Sequence, residues 1–191
     1  VTNIESAVLK KIGIHLSPEY IAENYGGMGD TTFFQLMIHQ HKLHFSAEDL
    51  IEEKLALLKA KLSQIKPIEG AIELIHLLFN HGFKLAVGSG SPRYFIEMVL
   101  ISFGVKDKFE TLVSADDVAH GKPYPDIYLK AAEILKVTPQ ECIVIEDSLN
   151  GMKAAQAAGM KCIGLVPDKS SNYPADILVE KLNDLRLRDF E

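Results

Sequence analysis

Apolar residues recur at helical spacing through the first third of the chain. Ile4, Ala7, Val8 and Ile12 make one stripe, and the stretch from Asp30 to His39 carries another with Phe33, Phe34, Leu36, Met37 and Ile38. The clearest pattern follows Ser46. Ile51, Leu55, Leu58, Leu62 and Ile65 recur at steps of four and three, the period that keeps one face of an α-helix apolar. Glu52, Glu53, Lys54, Lys59 and Lys61 are assigned to the opposite, polar face. Ser46 and Asp49 have the spacing of a capping box, in which each side chain takes an orphan N–H of the first turn. Nothing in this helix calls for a function.

Pro67 ends that regime. A helix is expected from about Glu69 to Asn80, closed by Gly82. Short apolar runs then alternate with helical patterns. Leu85-Ala86-Val87 reads as a first strand, Thr111-Leu112-Val113 as a second, Cys142 to Ile145 as a third, Met160 to Val166 as a fourth and Ile177-Leu178-Val179 as a fifth. Helices are expected around Phe95–Leu100, over Pro125–Leu135, over Leu149–Ala158 and in the tail from Lys181. Continuous apolar strands separated by helices indicate a parallel sheet covered on both faces. The expected architecture is a helical domain over residues 1–65 and a doubly wound α/β domain over residues 66–191.

Composition narrows the partners. The chain has 191 residues, 47% apolar and 24% charged, with a net charge of −6. Such a balance excludes the broad basic field of a nucleic-acid binder. An acidic protein that holds phosphate needs local help from a metal ion or from main-chain N–H groups. Cys142 and Cys162 lie inside apolar runs and read as buried thiols, not as a disulfide framework. No apolar stretch reaches the length of a membrane span, and the first residues do not show the charged-then-apolar order of a signal peptide. The expectation is a cytoplasmic protein, a monomer or a weak homodimer.

Ligands of open parallel sheets bind beyond the carboxyl ends of the strands. Three such ends carry polar residues in chain order: Ser89 within Gly88-Ser89-Gly90-Ser91-Pro92, Lys122 in the loop after the second strand, and Glu146-Asp147 at the end of the third. A hydroxyl, an ammonium and two carboxylates suit phosphate chemistry beside a hard cation, because Mg²⁺ takes oxygen ligands and recruits substrate phosphate. Each piece has a plainer reading. Asp147-Ser148 is also a helix N-cap pattern, the glycine loop is also an ordinary strand-to-helix turn, and a lone loop lysine is usually solvated. Joint placement at successive strand ends favours chemistry. His39, His41 and His44 fit no zinc spacing and read as a polar helix end. Gly151 reads as a point where its helix closely approaches the sheet.

These stretches, with Gly121-Lys122-Pro123, Pro125-Asp126 and the run Gly151, Ala154, Ala155, Ala158, Gly159, Met160, resemble the haloacid dehalogenase-like hydrolase superfamily in its helical-cap branch, which includes β-phosphoglucomutase and sugar phosphatases. The resemblance implies that Ser89 binds the transferring phosphoryl group, Lys122 bridges phosphate and nucleophile, Asp147 ligates Mg²⁺ and Glu146 is a ligand or a close support. Gly90 offers a main-chain donor, and Arg93 stands where it can touch phosphate. The family reaction passes through an aspartyl-phosphate. Its nucleophile motif, an Asp-x-Asp at the end of the first core strand, is absent from residues 1–191. The natural protein is expected to carry that strand and its connection, on the order of 20 residues, and residues 1–191 alone are expected to be inactive. Gly26 to Thr32 resembles the substrate-facing cap loop. Mutase-like members place an arginine near there for a second phosphate, whereas this chain has Asp30, which favours a phosphatase on a small phosphorylated metabolite. A phosphosugar mutase and a non-catalytic phosphate-binding module are the rival readings.

Overall fold

A computed structural model describes residues 2–26, 28–170 and 172–190. Gly27 of the expected cap loop lies outside the described residues. Four helices come first: α1 (Thr2–Lys11), α2 (Pro18–Tyr25), α3 (Asp30–His41) and α4 (Ala47–Lys61). α2 has no counterpart among the helices expected from the sequence. It starts where the Ser17 hydroxyl accepts the Tyr20 N–H at 3.1 Å and Pro18 occupies the first helical position, a combination suited to a helix start. At α4 the capping box forms as expected, with Asp49 N–H donating to Ser46 Oγ at 3.1 Å and Ser46 N–H to Asp49 Oδ2 at 3.4 Å. Val8, Leu9, Ile21, Phe33, Phe34, Met37, Leu50 and Leu58 interlock between these helices. Phe95, from a later helix, is buried in the same cluster.

Lys54 corrects the sequence reading. It does not face solvent but is 1% exposed. Its ammonium donates to Glu5 Oε1 at 2.8 Å and to Asp30 Oδ1. A buried charge survives only when paired, and Lys54 has two buried carboxylates around it.

The α/β part runs α5 (Ala71–Asn80), β1 (Ala86–Ser89), α6 (Arg93–Ser102), β2 (Thr111–Ser114), α7 (Asp126–Leu135), β3 (Ile143–Glu146), α8 (Leu149–Ala157), β4 (Lys161–Leu165) and β5 (Ile177–Val179). All strand pairings are parallel. β1 pairs with β2 in the register Ala86↔Thr111 to Ser89↔Ser114. β3 pairs with β4 from Ile143↔Lys161 to Glu146↔Gly164, and β4 with β5 from Ile163↔Ile177. The doubly wound sheet thus consists of two pieces, ordered β1-β2 and β3-β4-β5. Among the described residues β1 and β3 do not pair with each other. β1 is half-buried throughout, and Ile145 on β3 is 37% exposed. Interior strands of parallel sheets are normally sealed.

Both faces are covered. α7 and α8 press Ile127, Ala131, Met152 and Ala155 against Val113, Val144 and Cys162. The other face packs Leu74 and Leu78 of α5 with Ile163 and the tail residues Leu182, Leu185 and Phe190. The tail is not the expected helix. It forms two short 3₁₀ turns, Leu182–Asp184 and Leu187–Phe190. Side chains there satisfy the backbone locally: Asp189 Oδ2 accepts the Arg186 N–H at 2.7 Å, and Arg186 donates to Asn183 O at 2.5 Å, bonds that compete with a continuous helix.

Candidate active site

The polar residues at the strand ends are held by local turns. β1 delivers Ser89, whose hydroxyl accepts the Ser91 N–H at 3.1 Å and tightens the Gly90 turn into α6. Arg93 opens α6, and its guanidinium donates to Asp117 Oδ2 at 2.9 Å. That oxygen also accepts the Ser114 N–H and hydroxyl, each at 2.8 Å. The Ser114 backbone bond, outweighing partial burial, holds the Asp117 carboxyl below its ordinary range. Arg93 is therefore tied to the loop after β2.

Lys122 is 6% exposed and joins the two sheet pieces. Its Nζ donates to Glu146 Oε2 at 2.7 Å and to Gly88 O at 3.2 Å, and it lies 4.8 Å from the centre of the Tyr128 ring. It thus touches the residue before Ser89 and the residue before Asp147. An ammonium has three donors, so two of its N–H bonds are used within the protein.

Glu146 is saturated. Oε2 also accepts the Tyr128 hydroxyl at 2.5 Å, while Oε1 accepts the N–H groups of Asp147 and Ser148 at 3.1 Å and the Ser148 hydroxyl at 3.0 Å. Burial alone would raise this carboxyl, but the Lys122 charge and these donors prevail and bring it down to about 2. Burial beside the Glu146 anion drives the Tyr128 phenol far upward, so it remains a neutral donor. Space for the carboxylate comes from Gly151, where an added Cβ would sit 2.0 Å from Glu146 Cδ. The close approach expected at Gly151 is thus made to a side chain of β3.

Asp147 stands at the open rim. The cap of α8 is Ser148, whose hydroxyl accepts the Gly151 N–H at 3.0 Å, so Asp147 is spared that role. Its crowded surroundings, then the adjacent Glu146 anion, raise its carboxyl above the usual range. A carboxylate raised in this way gains from a cation. Among the described residues no three His, Cys, Asp or Glu side chains gather into a metal cluster, His39, His41 and His44 included. Mg²⁺ needs no such cage: it binds through one or two carboxylates, substrate phosphate and water. Asp147 can supply one carboxylate to such a set, whereas both Glu146 oxygens are already occupied.

Over this rim lies the helical lid. Gly29, just before α3, meets the core so closely that a Cβ there would be 2.7 Å from Ala115 Cβ, and one on Gly121 would be 3.1 Å from Gly29 N. Beside this contact a cleft of about 470 Å³ is walled by Asp30, Ile51 and Leu55 from the lid and by Arg93, Tyr94 and Asp116 from the core. Tyr128 and Asp117 were absent from the sequence-derived site. Tyr128 follows Ile127 in an apolar helix, and only the fold shows that its hydroxyl faces Glu146.

A doubly wound α/β core with polar side chains collected at its strand ends and a helical cap above them defines the class of this protein. The chain belongs to the haloacid dehalogenase-like hydrolase family, which it matches over residues 1–165. It is 38% identical over 156 residues to the bifunctional riboflavin kinase/FMN phosphatase of Arabidopsis thaliana, covering 79% of this chain and 41% of that protein. It is 32% identical over 149 residues to hexitol phosphatase B of Escherichia coli, covering 75% of this chain and 67% of that enzyme. The β-phosphoglucomutase of Clostridium difficile superposes with a TM-score of 0.84 at 23% identity, over 98% of this chain and 88% of the other, which shows a common fold.

Proposed function

We propose that this protein is a magnesium-dependent phosphohydrolase that cleaves small phosphate monoesters through an aspartyl-phosphate. The observation that supports this reading most is the placement of Lys122, a buried ammonium joining the end of β1, where Ser89 stands, to the end of β3, where Asp147 stands. Ser89 and the Gly90 N–H bind phosphoryl oxygens, and the remaining Lys122 donor offsets charge that develops on them. Asp147 holds the metal. Glu146, with its oxygens occupied, supports Lys122 and Asp147 without ligating. Arg93 adds positive potential at the rim while bonded to Asp117. Bound Mg²⁺ supplies charge neutralisation at the phosphoryl group.

The nucleophile of this reaction is an aspartate, a role that Ser89, Lys122, Glu146 and Asp147 do not fill. Its carboxylate oxygen bonds to phosphorus as the ester P–O bond breaks, and water then releases phosphate. Residues 1–65 act as the lid and residues 66–191 as the base, with closure excluding water. Asp30 in the lid disfavours a second phosphate, which sets the phosphatase reading above the mutase.

Phosphate release by the full-length protein from a panel of monoesters, with Mg²⁺ and with chelator, tests this. Asp147→Ala should abolish the magnesium-dependent turnover, and retained turnover removes that residue from the site. Conversion of β-glucose 1-phosphate to the 6-phosphate without net phosphate release would establish the mutase instead.

A further inference from the structure

Tyr128 stands between the ends of the two sheet pieces. It comes from the first turn of α7 and is 7% exposed. Its ring lies against the end of β1, where a Cβ on Gly88 would be 3.2 Å from Tyr128 Cε1. Its hydroxyl reaches the end of β3 and donates to Glu146 Oε2 at 2.5 Å. Lys122 Nζ sits over the same ring, 4.8 Å from its centre. Tyr128 therefore touches both residues that bond the Lys122 ammonium, and the ammonium itself. Packing against Gly88 needs only the ring, so the hydroxyl calls for a separate account.

Donor counting supplies one. A carboxylate oxygen has two lone-pair directions. At Glu146 Oε2 one goes to Lys122 and the other to Tyr128, while Oε1 is filled by Asp147 and Ser148. Burial, then the Glu146 charge, keeps the phenol protonated, so its donor is constant. Without the hydroxyl, a buried anion would hold an empty acceptor site, which is costly. Lys122, 2.7 Å from that oxygen, has a third N–H and can fill the site by turning. The N–H that Ser89's neighbourhood needs for a phosphoryl group would then be spent inside the protein. We infer that Tyr128 is a positioning residue of the active site: its hydroxyl fills Glu146 so that Lys122 keeps one N–H for the phosphoryl oxygens, and its ring bars the ammonium from leaning toward α7. This inference rests on the phosphatase reading.

The experiment uses the full-length protein, the monoester it hydrolyses fastest and inorganic phosphate as inhibitor. Tyr128→Phe keeps the ring and removes the hydroxyl. It should lower kcat/KM and raise the inhibition constant of phosphate, each by about tenfold or more, the range of one charged hydrogen bond. In the Lys122→Met background the same substitution should change kcat/KM by less than about twofold, because no ammonium remains to be turned. A merely structural hydroxyl would lower the unfolding midpoint and leave the phosphate constant unmoved. That result, or an equal loss in both backgrounds, overturns the assignment. If the variants do not fold, proton NMR of the wild type decides. The Tyr128 hydroxyl proton should move downfield when phosphate and Mg²⁺ are added, since Lys122 then leans toward the phosphate and leaves more of the Glu146 charge to the phenol. A resonance that is absent or does not move overturns it. A wild type that hydrolyses no ester refutes the phosphatase reading and this inference with it, whereas an active wild type matched by Tyr128→Phe refutes this inference alone.

Discussion

Lys54 in the cap and Lys122 in the core are both withdrawn from solvent, at 1% and 6% exposure, yet their surroundings are opposite in balance. Lys54 meets two carboxylates, Glu5 and Asp30, so its cluster has one negative charge in excess and a spare acceptor at Asp30 Oδ2. Lys122 meets one carboxylate, already saturated by neutral donors from Tyr128, Asp147 and Ser148, so its cluster is neutral with a spare donor. A buried lysine thus says little by itself. The count of donors and acceptors around it decides whether its neighbourhood is left with a spare donor or a spare acceptor.

Replacing each lysine by methionine should separate the two. Lys122→Met in the full-length protein should lower kcat/KM by about 10²–10³ and destabilise the fold by about 3–5 kcal/mol, because Glu146 is left buried without its cation. Turnover within tenfold of wild type would remove Lys122 from phosphate binding. Lys54→Met should cost a comparable about 3–5 kcal/mol in urea unfolding, since Glu5 and Asp30 lose their common partner. A loss below about 1 kcal/mol, the scale of a surface pair, would mean that Lys54, Glu5 and Asp30 do not form a buried charge centre. Gly151→Ala should cost about 1–3 kcal/mol through the overlap with Glu146, and an unchanged unfolding midpoint would show that the carboxylate has room to move.

Acid tests the core cluster in another way. Glu146 is depressed in the folded state to about 2, so the unfolded chain is the better proton acceptor there. Its contribution is complete above the ordinary carboxylate pKa of about 4.3 and fades as pH falls toward 2. Asp30 and Asp147, raised in the fold, act in the opposite sense and flatten the net slope. The stability gap between wild type and Glu146→Gln should shrink from about pH 5 downward, and a gap constant with pH would contradict the depressed carboxyl. Tyr128→Phe, which removes one donor, should cost about 0.5–1.5 kcal/mol near neutrality.

The strands and most helices were legible because each is a short apolar run or a clean period. Ser89, Glu146 and Asp147 could be placed at the rim because parallel strands end on or beside them, and Lys122 because it lies in the loop that follows the second strand. Lys54 was misread through its residue type. Leu50, Ile51, Lys54, Leu55 and Leu58 lie at steps of one, three and four, so position 54 falls on the apolar face, a placement that its charge obscured. The tail was misread because Leu182, Leu185 and Phe190 suggest a helix, while Arg186 and Asp189 close local turns. Saturation of Glu146 was beyond sequence reach, since its donors come from α7, the loop before α7 and the start of α8.

Phe95 shows that topology and independent folding follow different borders. Its ring completes the apolar centre of the four N-terminal helices although it belongs to α6, and Val99 packs beside it. A fragment cut after residue 65 would therefore carry an unfilled hollow in its interior. The lid is grafted onto its base through a shared aromatic peg, and any transplant of that lid to another scaffold would have to take the peg along.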